Sequence, residues 1–175
     1  DAFRSQVIHP LTLIEDQLAT ILSEGHDIQL HAHPQLFKTK HNGCRFDVNT
    51  DYWRITDLPY AQNHGGPVLS KLISKGKATL TDLCQKTLPE HQVVAFRAGG
   101  LCSRPEGLLL RALRENNIYF DFSASYNYKC DFWPENVDFT DVLSSPDPMP
   151  VGESYRDQRQ ASDLVLFPIY GAIYH

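Results

Sequence analysis

Residues Gly25-His26-Asp27-Ile28-Gln29-Leu30-His31-Ala32-His33-Pro34 constrain the fold more than any other stretch. A helix has to stop and a strand has to start within them. Upstream, Leu11, Ile14, Leu18, Ile21 and Leu22 recur at helical spacing. Pro10 suits a first turn, Thr12 and Glu15 have capping-box spacing, and Gly25 supplies the stop. The strand that follows is expected from about Asp27 to His33. Its side chains alternate, so Asp27, Gln29, His31 and His33 share one face and Ile28, Leu30 and Ala32 the other. Pro34 ends it.

The rest of the chain repeats the order of helix then strand. Residues from about Leu36 to Pro67 form a long polar excursion rich in aromatic, Asn, Asp and Gly positions, of a length that is usually functional or flexible. Val68 to about Leu88 is predicted helical, with a weak point at Gly76 and a terminator at Pro89. Gln92–Ala98 reads as a buried strand finished by Arg97-Ala98-Gly99-Gly100. Ser103 and Glu106 have capping-box spacing around Pro105, and Leu108, Leu109, Ala112 and Leu113 form the apolar face of another helix. Ile118–Ser123 gives a third strand. Cys130–Arg159 reads mostly as loop, and Leu164–Ile169 as a last strand interrupted at Pro168. Such an order predicts an α/β fold, a distorted or incomplete (β/α) barrel of parallel strands covered by helices. Polar groups gather at the C-terminal strand ends (His31, His33, Arg97, then Asp121 to Tyr126), the end that carries the site in such folds.

Composition excludes several classes. A chain of 175 residues makes one domain with a substantial core. Its net charge of -5 and the lack of a long Lys/Arg run argue against a nucleic-acid-binding surface. No apolar run reaches the roughly 20 residues that cross a bilayer. Cys44, Cys84, Cys102 and Cys130 are too widely spaced for a zinc knuckle or a dense disulfide scaffold, and buried free thiols are expected. Cys102 follows a strand of the expected site, but a nucleophilic role needs a paired His. The opening Asp1-Ala2-Phe3 and the closing Ile173-Tyr174-His175 read as a single domain truncated at both ends.

A lone strand histidine is usually a satisfied or solvent-facing side chain. Two of them two residues apart at a strand end are different, because neutral imidazole is a common ligand of borderline divalent metals. His31 and His33 are therefore candidate metal ligands, with zinc as the default ion.

These residues resemble the polysaccharide deacetylases, the nodulation-type chitooligosaccharide deacetylase homologues. Gly25-His26-Asp27-Ile28 followed by His31 is similar to the family's second motif, and Phe96-Arg97-Ala98-Gly99-Gly100 to its third. The similarity spans roughly residues 10 to 125. Position 35 is Gln35 where the family has its second histidine, so His33 takes that place, as in a His-x-His-Pro branch associated with surface-polysaccharide synthesis. The first-motif Asp pair, which supplies a metal ligand and the general base, has no counterpart before the first helix. Ile173-Tyr174-His175 faintly echoes the late Leu-x-His motif.

The resemblance implies a metal-dependent hydrolase removing acetyl groups from N-acetylated sugars of a glycan. It implies His31 and His33 as metal ligands and Arg97 as a catalytic wall residue orienting a base or meeting the oxyanion. An ordinary salt bridge is the competing role for Arg97. Gly99 and Gly100 are expected to let backbone approach the sugar, and Tyr52 and Trp53 to stack on it. Two other enzyme readings stay open. Amidohydrolase and phosphoesterase barrels carry a strand-borne His-x-His, but place it on the first strand. Cupins share Gly-x5-His-x-His, but need a nearby Glu and all-β surroundings. A deacetylase-like domain that binds a glycan or partner without hydrolysis is the non-enzyme alternative.

Overall fold

The computed structural model describes residues 10–36, 39–43, 45–48, 53–57, 67–131, 137–140, 142–143, 145–158 and 162–170. The helices are α1 (Pro10–Ser23), α2 (Pro67–Cys84) and α3 (Glu106–Glu115). The strands are β1 (Leu30–Ala32), β2 (Lys40–His41), β3 (Phe46–Asp47), β4 (Ala95–Ala98), β5 (Phe120–Asp121), β6 (Lys129–Cys130), β7 (Val137–Asp138), β8 (Met149–Pro150) and β9 (Val165–Leu166). Among these residues no helix is long and apolar enough to cross a membrane.

Five strands form one sheet in the order β1-β4-β5-β9-β8. The first four run parallel and β8 is antiparallel to β9. The fold is therefore mixed α/β with a parallel sheet and helices. Each new parallel strand is laid beside the last in one direction, with no reversal of order. Leu30, Phe96, Ala98 and Leu166 pack with Leu69 and Ile73 of α2 and with Leu109, Leu110 and Leu113 of α3. Burial of that face is the main driving force for the layer.

Gly25 stops α1 as its sequence predicts. It takes a φ of +84°, Gly25 N–H donates to Leu22 C=O and His26 N–H to Ile21 C=O, which is a Schellman closure. The expected capping boxes do not form. Thr12 lies inside α1, and Glu15 pairs with Lys86 at 2.8 Å instead. Ser103 donates to the carbonyl of Ser123, and Pro105 is the uncapped residue before α3. Glu106 is drawn away by Tyr155 N–H and Arg104.

α2 runs through Gly76 and ends at Cys84, earlier than Pro89 implies. A Cβ at Gly76 would lie 3.2 Å from Leu30 Cδ1, so the glycine permits the close approach of α2 to β1. β1 and β4 are also shorter than predicted, and one side chain explains both. Gln29 Oε1 accepts Val94 N–H and Ala95 N–H at 2.8 Å each, while its Nε2 donates to Asp27 and to Gln92 C=O. An amide side chain thus replaces the ladder where the two strands enter the sheet.

Within the excursion after β1, β2 and β3 form an antiparallel pair, and Ile55 and Thr56 are buried. The segment read as loop after Cys130 contributes much of the core: Phe139, Val142, Leu143, Met149, Val151 and Tyr155.

Candidate metal and substrate site

β1 and β4 are in register with His31 opposite Arg97 and Ala32 opposite Ala98. The alanines face the helices, so His31 and Arg97 face the other way, and both are exposed. His31 Nδ1 lies 3.0 Å from the carbonyl oxygen of Arg97. A carbonyl only accepts, so Nδ1 carries the proton and Nε2 keeps its lone pair. Backbone pairing with the tip of β4 therefore fixes the tautomer that metal binding requires.

His33 follows immediately after β1. Its ring centroid is 4.5 Å from that of His31, with the planes at 86°. Its Nδ1 is 2.9 Å from the side-chain amide of Gln35. Burial first, then the charges of His31 and Arg97, lower its pKa from the ordinary histidine value, which keeps the ring neutral at pH 7. Gln35 Nε2–H donates to His33 Nδ1, so the neutral ring carries its proton on Nε2.

The glycines act differently from the sequence expectation. A Cβ at Gly99 would lie 2.5 Å from His33 Nδ1, so the missing side chain makes room for the imidazole. Gly100 adopts a φ of +61° and Leu101 +57°, and Cys102 N–H closes the turn on Gly99 C=O. A Cβ at Gly100 would come within 3.5 Å of Trp53 Nε1. Trp53 thus packs over the turn beside His33, its buried indole N–H without a partner among the described residues. Tyr52, the other aromatic expected to stack on substrate, lies outside the described residues.

Asp27 and Gln29 do not back the histidines, as strict alternation implied. Gln29 is consumed in the strand staple, and Asp27 lies 3.7 Å from His91. Asp121 is also separate from the site. It is in register with Phe96 and so shares the helix-covered face, fully buried. Tyr155 Oη–H donates to its Oδ2 at 2.9 Å and Ser123 N–H to its Oδ1 at 3.0 Å. Burial pushes its carboxyl up to about 6 against these bonds. Sequence grouped Asp121 with the strand-end polar residues; the register turns it to the opposite face.

His31 and His33 suit a borderline divalent ion in type and proximity, and His31 also in tautomer, whereas His33 can offer Nδ1 only by releasing the Gln35 N–H. Two rings bound to one ion at about 2 Å per bond must lie within a few ångströms of each other, as these do. Two histidines alone make at most half of a four-ligand set. Among the described residues no group of three or more His, Cys, Asp or Glu side chains comes together. Comparison with protein-family models, curated proteins and solved structures finds no match.

Proposed function

We propose that this end of the sheet is the metal-binding half of a carbohydrate deacetylase site, in a fold built like part of a barrel wall. The observation that carries the reading is the hydrogen bond from His31 Nδ1–H to the Arg97 carbonyl, which leaves Nε2 free beside a neutral His33. The one-directional strand order supports the barrel.

His31 and His33 would hold the ion, with zinc favoured by ligand type. A bound ion would polarise the acyl carbonyl and acidify a water. Arg97 stands opposite His31, where its guanidinium can stabilise negative charge developing on the acyl oxygen. Gln35 holds the His33 ring, and Trp53 screens the Gly99–Gly100 turn from water. Overall, water oxygen bonds to the acyl carbon, the C–N bond breaks, and the sugar nitrogen leaves protonated as the amine.

The test is acetate release from N-acetylglucosamine oligomers with and without added zinc. Zinc-dependent release that disappears in His31→Ala supports the reading; no release at any zinc concentration counts against it. A second reading, glycan binding without hydrolysis, is favoured by one observation. Among the described residues the neighbour charges that act on His33 are those of His31 and the Arg97 guanidinium, not of a carboxylate, which suits an anionic sugar.

A further inference from the structure

Asp121 and His31 lie on opposite faces of the sheet, yet a line of hydrogen bonds joins them. The peptide between Arg97 and Ala98 is its middle link. On one side its carbonyl accepts His31 Nδ1–H at 3.0 Å. On the other its N–H donates to Ser123 Oγ at 2.9 Å, just past Asp121, the last residue of β5. The Ser123 hydroxyl keeps a proton of its own and donates it to the Asp121 carboxyl, while Ser123 N–H donates to Asp121 Oδ1 at 3.0 Å. Asp121, Ser123 and Ala98 are all buried.

We propose that Ser123, and Asp121 through it, are positioning residues for His31: the Asp121 carboxylate draws on the Ser123 hydroxyl, and the 97–98 peptide passes that pull to the ring nitrogen. The inference rests on the site reading above for what this link serves. A hydroxyl that donates to a carboxylate becomes a better acceptor for Ala98 N–H. An amide N–H that is bonded more strongly enriches its own carbonyl oxygen, because the peptide is one conjugated unit. The Arg97 oxygen then holds His31 Nδ1–H harder, which keeps the tautomer and makes Nε2 a better donor to an ion.

Packing accounts for the hydroxyl but not for the acid. The buried Ala98 N–H needs an acceptor, and Ser123 supplies one. A fully buried carboxyl is costly, and among the described residues no cation is found among the groups that act on Asp121. Its partners, Tyr155 Oη–H and the hydroxyl and N–H of Ser123, all favour the ionised form against burial. With its carboxyl at about 6, Asp121 is mainly charged at neutral pH. A charge kept at that cost, one hydroxyl and one peptide away from a ligand histidine, is placed to act on that histidine.

The test begins on the full metal-free chain at neutral pH, by NMR of labelled backbone and imidazole. The wild type should show His31 as the Nδ1–H tautomer. Asp121→Asn, which is close to isosteric, should move the Ala98 amide proton and the Arg97 carbonyl carbon upfield together and lower the Nδ1–H fraction of His31. Ser123→Ala should do the same more strongly. Zinc competition then reads the consequence. Affinity should fall about tenfold in Ser123→Ala, at the low end for partners of a metal-bound histidine, and about threefold in Asp121→Asn. In the double variant the loss should stay at about tenfold, because Asp121 acts through Ser123. A loss of about thirtyfold there, the product of independent effects, overturns the proposal. So do His31 and Arg97 resonances that are unchanged in Asp121→Asn, which keeps the test decisive if Ser123→Ala fails to fold. A wild type that shows the coupled shifts but holds no zinc keeps the link and removes the metal reading. Tight zinc binding that neither substitution alters does the reverse.

Discussion

His33 occupies the space that a side chain at residue 99 would fill. Its Nδ1 stands 2.5 Å from where a Cβ of Gly99 would be, closer than any two such atoms can pack. Position 99 therefore sets the imidazole's place, and through it the geometry of the histidine pair.

Gly99→Ala tests this directly. The ring can swing away more easily than the β4 backbone can move, so stability should fall by only about 1–2 kcal/mol. Zinc affinity should fall much further, by about tenfold or more. Urea unfolding and a zinc competition titration measure the two effects; a stability loss with unchanged affinity would refute the placement.

Gln35→Ala removes the side chain that holds His33 Nδ1. The amide N–H of Gln35 occupies the lone pair of that nitrogen, so its removal frees Nδ1 for an ion. Zinc affinity should hold or rise, with circular dichroism unchanged. A loss of about tenfold or more would show that Gln35 supports the ligand geometry instead of competing with the ion.

Arg97→Ala should lower turnover by about a hundredfold, as for loss of an oxyanion donor, while metal content stays near wild type. Its carbonyl, which binds His31, is backbone and survives the substitution. Unchanged turnover would return Arg97 to a structural role.

Asp121 gives the pH dependence. Its folded-state carboxyl is raised from 3.8 to about 6, so the folded protein holds a proton that the unfolded chain releases between those values. Stability from this group is complete below about pH 4 and is lost as pH rises through about 6, a change of about 3 kcal/mol. Asp121→Asn should flatten that segment of the stability profile. Tyr155→Phe, which removes the Oη–H bond to Oδ2, should cost about 1–3 kcal/mol near pH 5. A wild-type profile that rises from pH 4 to 7 and is unaltered by Asp121→Asn would contradict the assignment.

Where local chemistry decides the structure, the sequence was readable. The Leu11–Leu22 periodicity with Gly25 marked α1 and its stop, Gln92–Ala98 marked β4 though with three residues too many at its start, and Pro168 marked a break after β9. The histidine pair and Arg97 were legible as neighbours because parallel pairing of two strand ends brings them together. What was not legible depends on tertiary partners. Gln29 shortens two strands by bonding across 65 residues to Val94, which no periodicity encodes. Ser103 and Glu106 have the pattern of a capping box, yet Ser123, Tyr155 and Arg104 outcompete the helix for them. Asp121 resembles a site residue until its register with Phe96 turns it inward. The core residues of the 137–155 segment sit among prolines and aspartates that conceal them in the sequence.

The most direct test of the account is zinc stoichiometry by competition titration on the wild type, His31→Ala and His33→Ala. The account predicts one zinc per wild-type chain and loss of stoichiometric binding in each variant, with folding retained. Stoichiometric zinc in either variant, or none in the wild type, would contradict the claim that His31 and His33 form a metal site.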